Sequence, residues 1–276
     1  MKLSDGIKRY RSEILITKSP NYQRMTNQQL RYWESKFPNK SLARITPSMI
    51  RENLPDHVSL VTKNRYLEAL STFYTACVID WEIVKENPVF KVRKFPEPRG
   101  RVRYLDDNER HRLLDACQSS KHKYLYTIVI IALSTGMRRS EITTLTFEQI
   151  DLNRKTIILW NTKNKSQRVV PLVGKAYELV ANLHRRSLPK SSDKLFPGKS
   201  IRCAWLKAIN DSGVKDFTFH GLRHTAASYM AMNGVPLHTI GTILGHQSLR
   251  QTMIYAHLSV DHLRDTLKGL NDMMFE

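Results

Sequence analysis

The stretch His220-Gly221-Leu222-Arg223-His224-Thr225 decides how this sequence is interpreted. It is followed by Leu244-Gly245-His246 and Tyr255, and it is preceded by Thr135-Gly136-Met137-Arg138. A planar guanidinium donates two parallel hydrogen bonds to phosphate oxygens and keeps its charge. Two arginines, two histidines and a late tyrosine are therefore the groups needed to bind one phosphodiester and attack it with a phenol. The pattern predicts covalent phosphoryl transfer through tyrosine.

The charge composition indicates a polyanionic partner. The 276-residue chain has 44 Lys and Arg against 25 Asp and Glu, a net charge of +19. Each phosphate that a basic protein neutralises releases a condensed counterion, so this excess favours nucleic acid as the partner. A solvated basic surface without a partner is the alternative. A membrane partner is disfavoured because no run of Lys or Arg flanks a long apolar segment.

The cysteines and the apolar segments predict the cellular compartment. Cys77, Cys117 and Cys203 lie far apart without CxxC spacing, which predicts reduced thiols and neither a disulfide framework nor a zinc ribbon. The first residues lead into charged residues rather than an apolar leader, and the most apolar run, residues 124–133, is too short to span a bilayer. We therefore expect a cytoplasmic protein.

Residues 95–103, Phe-Pro-Glu-Pro-Arg-Gly-Arg-Val-Arg, predict a domain boundary because proline and glycine oppose a helix. The expected organisation is a helical domain over 1–95, a basic linker over 96–103 and a larger domain over 104–276. In the first domain, Thr46 and Pro47 predict the start of a helix. The apolar spacing over residues 62–84 predicts another helix.

The larger domain is predicted to be mainly α with a small antiparallel β-sheet. Asp106 and Glu109 have the spacing of a capping box. Residues 155–160 and 167–172 are rich in β-formers and flank a polar turn, which predicts a hairpin. The other helices are expected over residues 124–134, 175–186, 201–210, 220–232, 236–244 and 249–256, and from Val260 onward.

Each candidate residue also has a plain structural interpretation. Arg138 could form a salt bridge within its own helix. His220 and His224 are four residues apart and could hold zinc, although no third ligand is spaced to complete such a site. His246 could simply end a helix, and Tyr255 could be a core residue. The functional interpretation depends on the combination of residues and on their order.

That combination resembles the tyrosine recombinase family, which includes the phage-type integrases and the Xer-like recombinases. The matching residues are 135–142, the hairpin 162–172, 220–225, 244–246 and Tyr255. The resemblance covers essentially all of residues 104–260. The first domain resembles the family's helical core-type DNA-binding domain (SAM-like), and the second resembles its catalytic domain with a tail helix.

The resemblance implies a role for each side chain. Tyr255 attacks the scissile phosphate and forms a 3′-phosphotyrosyl intermediate. Arg138 and Arg223 bind the non-bridging oxygens. His220 assists proton movement at the phenol, and His246 hydrogen-bonds the phosphate.

The leaving group requires a proton donor, which the resemblance places on the hairpin turn. Lys163 is the residue implied to protonate the 5′-oxygen, and Lys165 is the alternative. Glu141 is expected to support Arg138 rather than react. Each ester broken is replaced by another of similar energy, and cationic side chains are already present, so we expect no ATP, metal or other cofactor.

The function implied is that of a site-specific DNA recombinase, most simply the integrase of a prophage or other mobile element. Its expected partner is double-stranded DNA, bound as a homotetramer at the nucleoid, with accessory factors unknown. A type IB topoisomerase, which relaxes supercoils without synapsis, is one alternative. A catalytically inactive DNA-binding relic is another.

The two ends of the sequence raise further expectations. Residues 257–270 carry a leucine stripe that would either pack within the chain or dock into a neighbouring subunit. The helices that resemble the core-binding domain begin almost at Met1, whereas many phage integrases carry an additional arm-binding domain before them. We therefore expect either a simple recombinase without arm sites or a fragment of a longer integrase.

Overall fold

The structure is a computed structural model that describes residues 1–97, 102–161, 166–187 and 190–275. The chain divides into two compact units, Met1–Gly100 and Arg101–Glu276. Part of the predicted linker, residues 98–101, lies outside the described residues. No helix in the described part of the chain is long and apolar enough to cross a membrane.

The described residues of the first unit form a helical bundle. Its α-helices are α1 (Leu3–Glu13), α2 (Pro20–Lys36), α3 (Pro47–Glu52) and α4 (Leu60–Ile79). The predicted start of α3 is confirmed, since the Thr46 side chain accepts a hydrogen bond from the Met49 amide at 3.3 Å. The helix predicted over 62–84 ends earlier than expected, at Ile79, and Glu82 beyond it adopts a left-handed backbone conformation with φ of 51°.

The core of the first unit is rich in aromatic residues, and two of them bond their polar atoms to backbone carbonyls. Trp33, Phe73 and Tyr74 are fully buried. The Trp33 indole donates to the carbonyl of Tyr66 at 3.0 Å, and the Tyr74 hydroxyl donates to that of Leu42 at 3.1 Å. Such rings bury large apolar areas, and these bonds avoid the cost of leaving their polar atoms unpaired.

The second unit is mainly α-helical with a small antiparallel sheet, which confirms the predicted fold class. Its strands are β1 (Ile150–Asp151), β2 (Thr156–Asn161) and β3 (Ser166–Pro171), in the order β1-β2-β3. Its helices are α5 (Asp107–Gln118), α6 (Leu125–Thr135), α7 (Arg139–Thr143), α8 (Gly174–Ser187), α9 (Arg202–Ser212), α10 (Phe219–Met232), α11 (Leu237–Leu244) and α12 (Val260–Phe275). The predicted hairpin is confirmed by the pairing of β2 with β3.

Helix α6 lies in the core of the second unit and determines where the following residues are placed. It is buried along most of its length and ends at Gly136, whose φ of 64° places it in the left-handed region. A Cβ atom at Gly136 would lie 2.4 Å from Cδ2 of Leu244, so the end of α6 packs directly against the end of α11. The glycine therefore permits both the turn and this close approach.

The predicted capping box begins α5 as expected. The Asp106 carboxylate accepts from the Glu109 amide at 2.7 Å, and the Glu109 carboxylate accepts from the Asp106 amide at 3.3 Å. The Leu105 amide donates to the Thr225 hydroxyl of α10 at 3.1 Å. The start of the unit is thus bonded to the helix that carries the His220–Thr225 stretch.

The prediction of an α-helix over residues 249–256 is wrong. The chain there forms two 3-10 helices, Leu249–Gln251 and Met253–Ser259. The Thr252 amide donates to the carbonyl of Leu249 at 2.8 Å, and the Tyr255 amide donates to that of Thr252 at 3.0 Å. This i→i+3 bonding winds the backbone more tightly than an α-helix. In the resulting turn Tyr255 is buried, whereas Met253 is exposed.

Candidate active site

Arg223 lies on α10 and is a buried cation. Its guanidinium, in a residue only 3% exposed, donates from Nη1 to the Gly136 carbonyl at 2.9 Å. That carbonyl follows the last turn of α6, where the helix leaves carbonyl oxygens without intrahelical partners. Burial, and then the charge of Arg138, lowers the pKa of Arg223 to about 10. The site therefore contains a positive charge that a bound anion would stabilise.

Arg138 precedes α7, and Glu141 of α7 holds it in place. The Arg138 amide donates to Oε2 of Glu141 at 2.8 Å, and its Nη1 donates to Oε1 at 2.9 Å. The local salt bridge expected as the plain interpretation is therefore present. The Arg138 side chain is still 44% exposed, so the bridge leaves part of it accessible to a ligand.

Arg168 of β3 joins the same network, although the sequence did not single it out. Its Nη2 donates to Oε2 of Glu141 at 2.8 Å, and its Nη1 donates to the Ile243 carbonyl at the end of α11 at 2.7 Å. In the strand pairing Arg168 lies opposite Leu159, which is buried. An arginine at an inward-facing strand position is the signal that could have identified it.

The glycine between α11 and His246 is required by the position of Arg168. Gly245 has φ of 67°, and a Cβ atom there would lie 2.8 Å from Cδ of Arg168. The Gly245-His246 pair therefore allows α11 to end directly against the arginine. His246 is brought to the network by this turn.

His246 is held by its own hydrogen bonds. Its amide donates to the Gly241 carbonyl at 2.9 Å, and its Nδ1 lies 2.7 Å from the hydroxyl of Thr252. Burial, and then the charge of Arg223, lowers the pKa of His246 to about 4. The ring is therefore neutral near pH 7, and Nε2 is the nitrogen available to a ligand.

Tyr255 is buried beside α10, and the ring that reaches its hydroxyl is His224. Nδ1 of His224 lies 2.7 Å from the phenolic oxygen, and Tyr255 is 1% exposed. Burial raises the pKa of Tyr255 to about 12, although the charge of Arg223 opposes this change. The phenol is therefore protonated at rest.

His220, the histidine predicted to act at the phenol, lies one helical turn before His224. It is exposed, and its ring packs edge-on against that of His224 with centroids 4.9 Å apart. Although the residue is exposed, partial desolvation of its ring, and then the charges of Arg223 and Arg138, lower the pKa of His220. From the sequence, His224 was predicted only as a possible zinc ligand together with His220. In the described part of the chain, no three metal-ligating side chains are grouped.

The predicted proton donors, Lys163 and Lys165, lie outside the described residues. The strands before and after them, β2 and β3, are described. The assignment of Lys163, with Lys165 as the alternative, stays a prediction.

The other five predicted residues converge. Hydrogen bonds connect the elements that carry them. Glu141 bonds to Arg138 and Arg168, and Arg168 bonds to the end of α11 just before His246. Tyr255 bonds to His224 of α10, the helix that also carries His220 and Arg223. The arrangement combines fixed positive charge, neutral imidazoles and a protonated phenol. Chemically, it can bind an oxyanion and supply an oxygen nucleophile beside it.

Comparison with known proteins identifies relatives of this chain. Residues 103–262 match the model of the phage integrase family. The integrase of Salmonella phage P22 is 29% identical over 237 residues, which are 79% of this chain and 59% of the relative. The integrase of Haemophilus phage HP1 is 33% identical over 223 residues, 80% of this chain and 62% of the relative. The chain thus spans less than two thirds of the length of these relatives.

A solved structure shares the fold over nearly the whole chain. The integrase of transposon Tn1549, in complex with circular intermediate DNA, has a TM-score of 0.76 at 19% identity. The match covers 97% of this chain and 99% of that one. The similarity therefore includes the helical first unit as well as the second.

Proposed function

The chain belongs to the phage integrase family, and we propose that it is a site-specific DNA recombinase that integrates or excises a mobile element. In the proposed reaction it cleaves and rejoins double-stranded DNA through a 3′-phosphotyrosyl intermediate. The observation that carries this proposal is the buried Tyr255 hydroxyl, which lies 2.7 Å from Nδ1 of a neutral histidine, His224, on the helix that also carries the buried Arg223. The net charge of +19 supports DNA as the substrate.

In this proposal the arginines bind the scissile phosphate. Arg138 and Arg223 contact its non-bridging oxygens, and their attraction for the anion is strengthened because Arg223 lies in a poorly solvated site. His246 hydrogen-bonds the same phosphate through Nε2, since its Nδ1 is paired with Thr252. These groups are held before DNA arrives, which is the condition for electrostatic stabilisation of a transition state.

The proton movements complete the proposed reaction. Tyr255 attacks the phosphorus, and His220 assists proton movement at the phenol through the neighbouring ring of His224. Lys163, or alternatively Lys165, protonates the leaving 5′-oxygen. One phosphate ester replaces another, so the reaction needs no ATP. The arginines supply the charge that a metal would otherwise provide.

The tail helix supports a proposal about assembly. In α12 the apolar side chains of Leu267, Met273 and Phe275 are 58%, 78% and 77% exposed. Packing within the chain would bury these side chains, so their exposure favours docking into a neighbouring subunit of a DNA-bound homotetramer. Deleting 259–276 tests this: loss of tetramers with retained cleavage supports docking, whereas unfolding supports internal packing.

The proposed DNA substrate also implies where in the cell the protein acts. A recombinase of chromosomal or phage DNA acts at the nucleoid in the cytoplasm, and any accessory factors would meet it there. A type IB topoisomerase remains an alternative because it uses the same chemistry. An inactive relic is disfavoured because the buried arginine and the hydrogen-bonded tyrosine are both in place.

A covalent trapping experiment tests the proposal. The probe is a duplex that carries the repeated sequence flanking the gene, with a nick beside the cleavage point so that rejoining is prevented. We expect an SDS-stable protein–DNA adduct that disappears in Tyr255→Phe. Tyr229→Phe is the matched control, because its hydroxyl bonds to Asp107 instead, and it should retain the adduct.

Two outcomes would contradict the proposed function. Failure of the wild-type protein to form any adduct would favour the inactive relic. Relaxation of supercoils without strand exchange between two duplexes would favour the topoisomerase.

A further inference from the structure

We infer that His224 is the residue that receives the phenolic proton of Tyr255 as the tyrosine attacks the phosphate. This inference rests on the proposed function and deepens it, because it assigns the proton acceptor to a residue that the family resemblance did not single out.

The contact between the two side chains defines the direction of the hydrogen bond. Nδ1 of His224 lies 2.7 Å from the Tyr255 oxygen, a distance typical of a good hydrogen bond. A phenol with a raised pKa keeps its proton and acts as the donor. His224 is neutral, so its Nδ1 accepts and its Nε2 carries the ring hydrogen.

Because Tyr255 is buried, His224 is the nearest acceptor for its phenolic proton. Tyr255 is 1% exposed, so its hydroxyl has little access to bulk water that could take the proton. His220, by contrast, is exposed, and its ring packs against that of His224. A general base must reach the proton by a hydrogen bond, directly or through one water, and His224 reaches it directly.

The same bond orients the nucleophile. Because the phenolic hydrogen points toward His224, the lone pairs of the oxygen point away from it. A lone pair directed away from the imidazole is free to attack phosphorus. His224 would therefore act twice, by aiming the oxygen and by removing its hydrogen.

The charged and titratable groups around His224 keep it neutral until substrate binds. From its own helix His220 and Arg223 face it, His246 faces it from the turn after α11, and Tyr255 faces it from the 3-10 segment. Burial and then these α10 neighbours lower the pKa of His224 to about 4. A phosphate anion would offset the charge of Arg223 and make protonation of His224 easier.

The proposed step balances as follows. The Tyr255 oxygen forms a bond to phosphorus, while its proton passes to Nδ1 of His224. The bond from phosphorus to the 5′-oxygen breaks with its electron pair on that oxygen, which takes a proton from the donor proposed as Lys163. At rest the proton stays on the phenol, and it becomes acidic only as the bond to phosphorus forms. During rejoining His224 returns the proton to the departing phenol.

The test is the pH dependence of covalent cleavage in His224→Asn. Asparagine places an acceptor oxygen near the position of Nδ1 but takes no proton at neutral pH. With the nicked duplex in single turnover, we expect cleavage about 10²–10⁴-fold slower than in the wild type. Between about pH 6 and about pH 9 its rate should also rise roughly tenfold per pH unit, because the phenol must first lose its proton to solvent. The wild-type rate should lack this slope.

Matched variants separate His224 from other histidines. His238→Asn changes an exposed histidine of α11 and should behave as the wild type. His220→Asn should slow cleavage without producing the slope. The assignment is overturned if the slope appears in His220→Asn, or if His224→Asn has the wild-type rate and pH profile. A wild-type protein that forms no adduct would overturn both the proposed function and this role.

A second measurement includes one arm that does not use the histidine variant. A fluorinated tyrosine at position 255 lowers the pKa of the phenol without removing its oxygen. In His224→Asn this replacement should restore much of the cleavage rate, and in the otherwise wild-type protein it should change the rate only slightly. A large acceleration in the otherwise wild-type protein would show that no residue assists the proton, which would contradict the role of His224.

Discussion

The arginine cradle, which comprises Arg138, Arg168, Arg223 and Glu141, and the tyrosine segment, residues 249–259, are held in different ways. Side-chain hydrogen bonds of 2.7–2.9 Å join the cradle across α6, α7, β3 and α11. The tyrosine segment depends on local 3-10 bonds and on the Tyr255–His224 contact. The comparison shows that the part that binds charge is built from distant elements, whereas the nucleophile is positioned by few contacts.

The largest effect is expected in the cradle. Arg223→Ala should slow covalent cleavage by about 10²–10³-fold, or about 3–4 kcal/mol, because it removes a preorganised contact to the phosphate. DNA affinity should be largely retained, as many other cations contribute to it. Cleavage kinetics and filter binding on the same duplex measure the two effects. Equal losses of binding and cleavage would contradict the role, and thermal melting controls for the bond to Gly136.

The next largest effect is expected at the contact between the end of α6, at Gly136, and the end of α11, at Leu244. Gly136→Ala should destabilise the fold by roughly 2–4 kcal/mol, from the left-handed backbone and from the collision with Leu244. Gly213→Ala is the matched control. Gly213 ends α9 with φ of 67° and has nothing within 4 Å of a Cβ atom, so only the backbone cost of about 1 kcal/mol should appear. Equal denaturation midpoints for the two variants would show that the α6–α11 contact is unimportant.

Two half-buried histidines, His224 and His246, predict how the stability of the fold depends on pH. Burial lowers the pKa of both His224 and His246 from 6.5 to about 4. The unfolded chain therefore binds more protons between about pH 6.5 and about pH 4, and stability should fall as the pH is lowered through this range. In His246→Gln the fall should be shallower. Thermal melting across this range measures it, and identical slopes in the two proteins would rule out the effect.

The smallest effect is expected for one bond of the tyrosine segment. Thr252→Val removes the hydroxyl that pairs with His246 but keeps the shape of the fully buried side chain. The expected loss of stability is about 1 kcal/mol, the typical contribution of one hydrogen bond. Denaturant unfolding measures this loss. A loss as large as that expected for Gly136→Ala would mean that the segment is held as firmly as the cradle.

Local chemistry predicted most of the fold. The capping box of α5 and the start of α3 at Thr46 were predicted correctly because their contacts lie within a few residues. The tyrosine segment was predicted wrongly because apolar spacing does not distinguish an α-helix from i→i+3 bonding. The decisive bonds there are those of Thr252.

Long-range contacts explain what the sequence did not show in the site. Arg168 reaches Glu141 across 27 residues, and His224 reaches Tyr255 across 31 residues. The periodicity of a sequence does not indicate contacts between residues so far apart. Arg168 was therefore overlooked, and His224 was considered only as a metal ligand. The family resemblance identified side chains in sequence order, but only the folded chain shows which of them meet.

The single carboxylate of Glu141 faces three guanidiniums in the network described above, which leaves two positive charges in excess. The ligand-free protein therefore contains built-in mutual repulsion. A tetrahedral oxyanion that enters this network relieves the repulsion. Because the network exists only in the folded chain, such a ligand stabilises the folded state. On this basis the DNA backbone would contribute to the stability of the protein that cuts it.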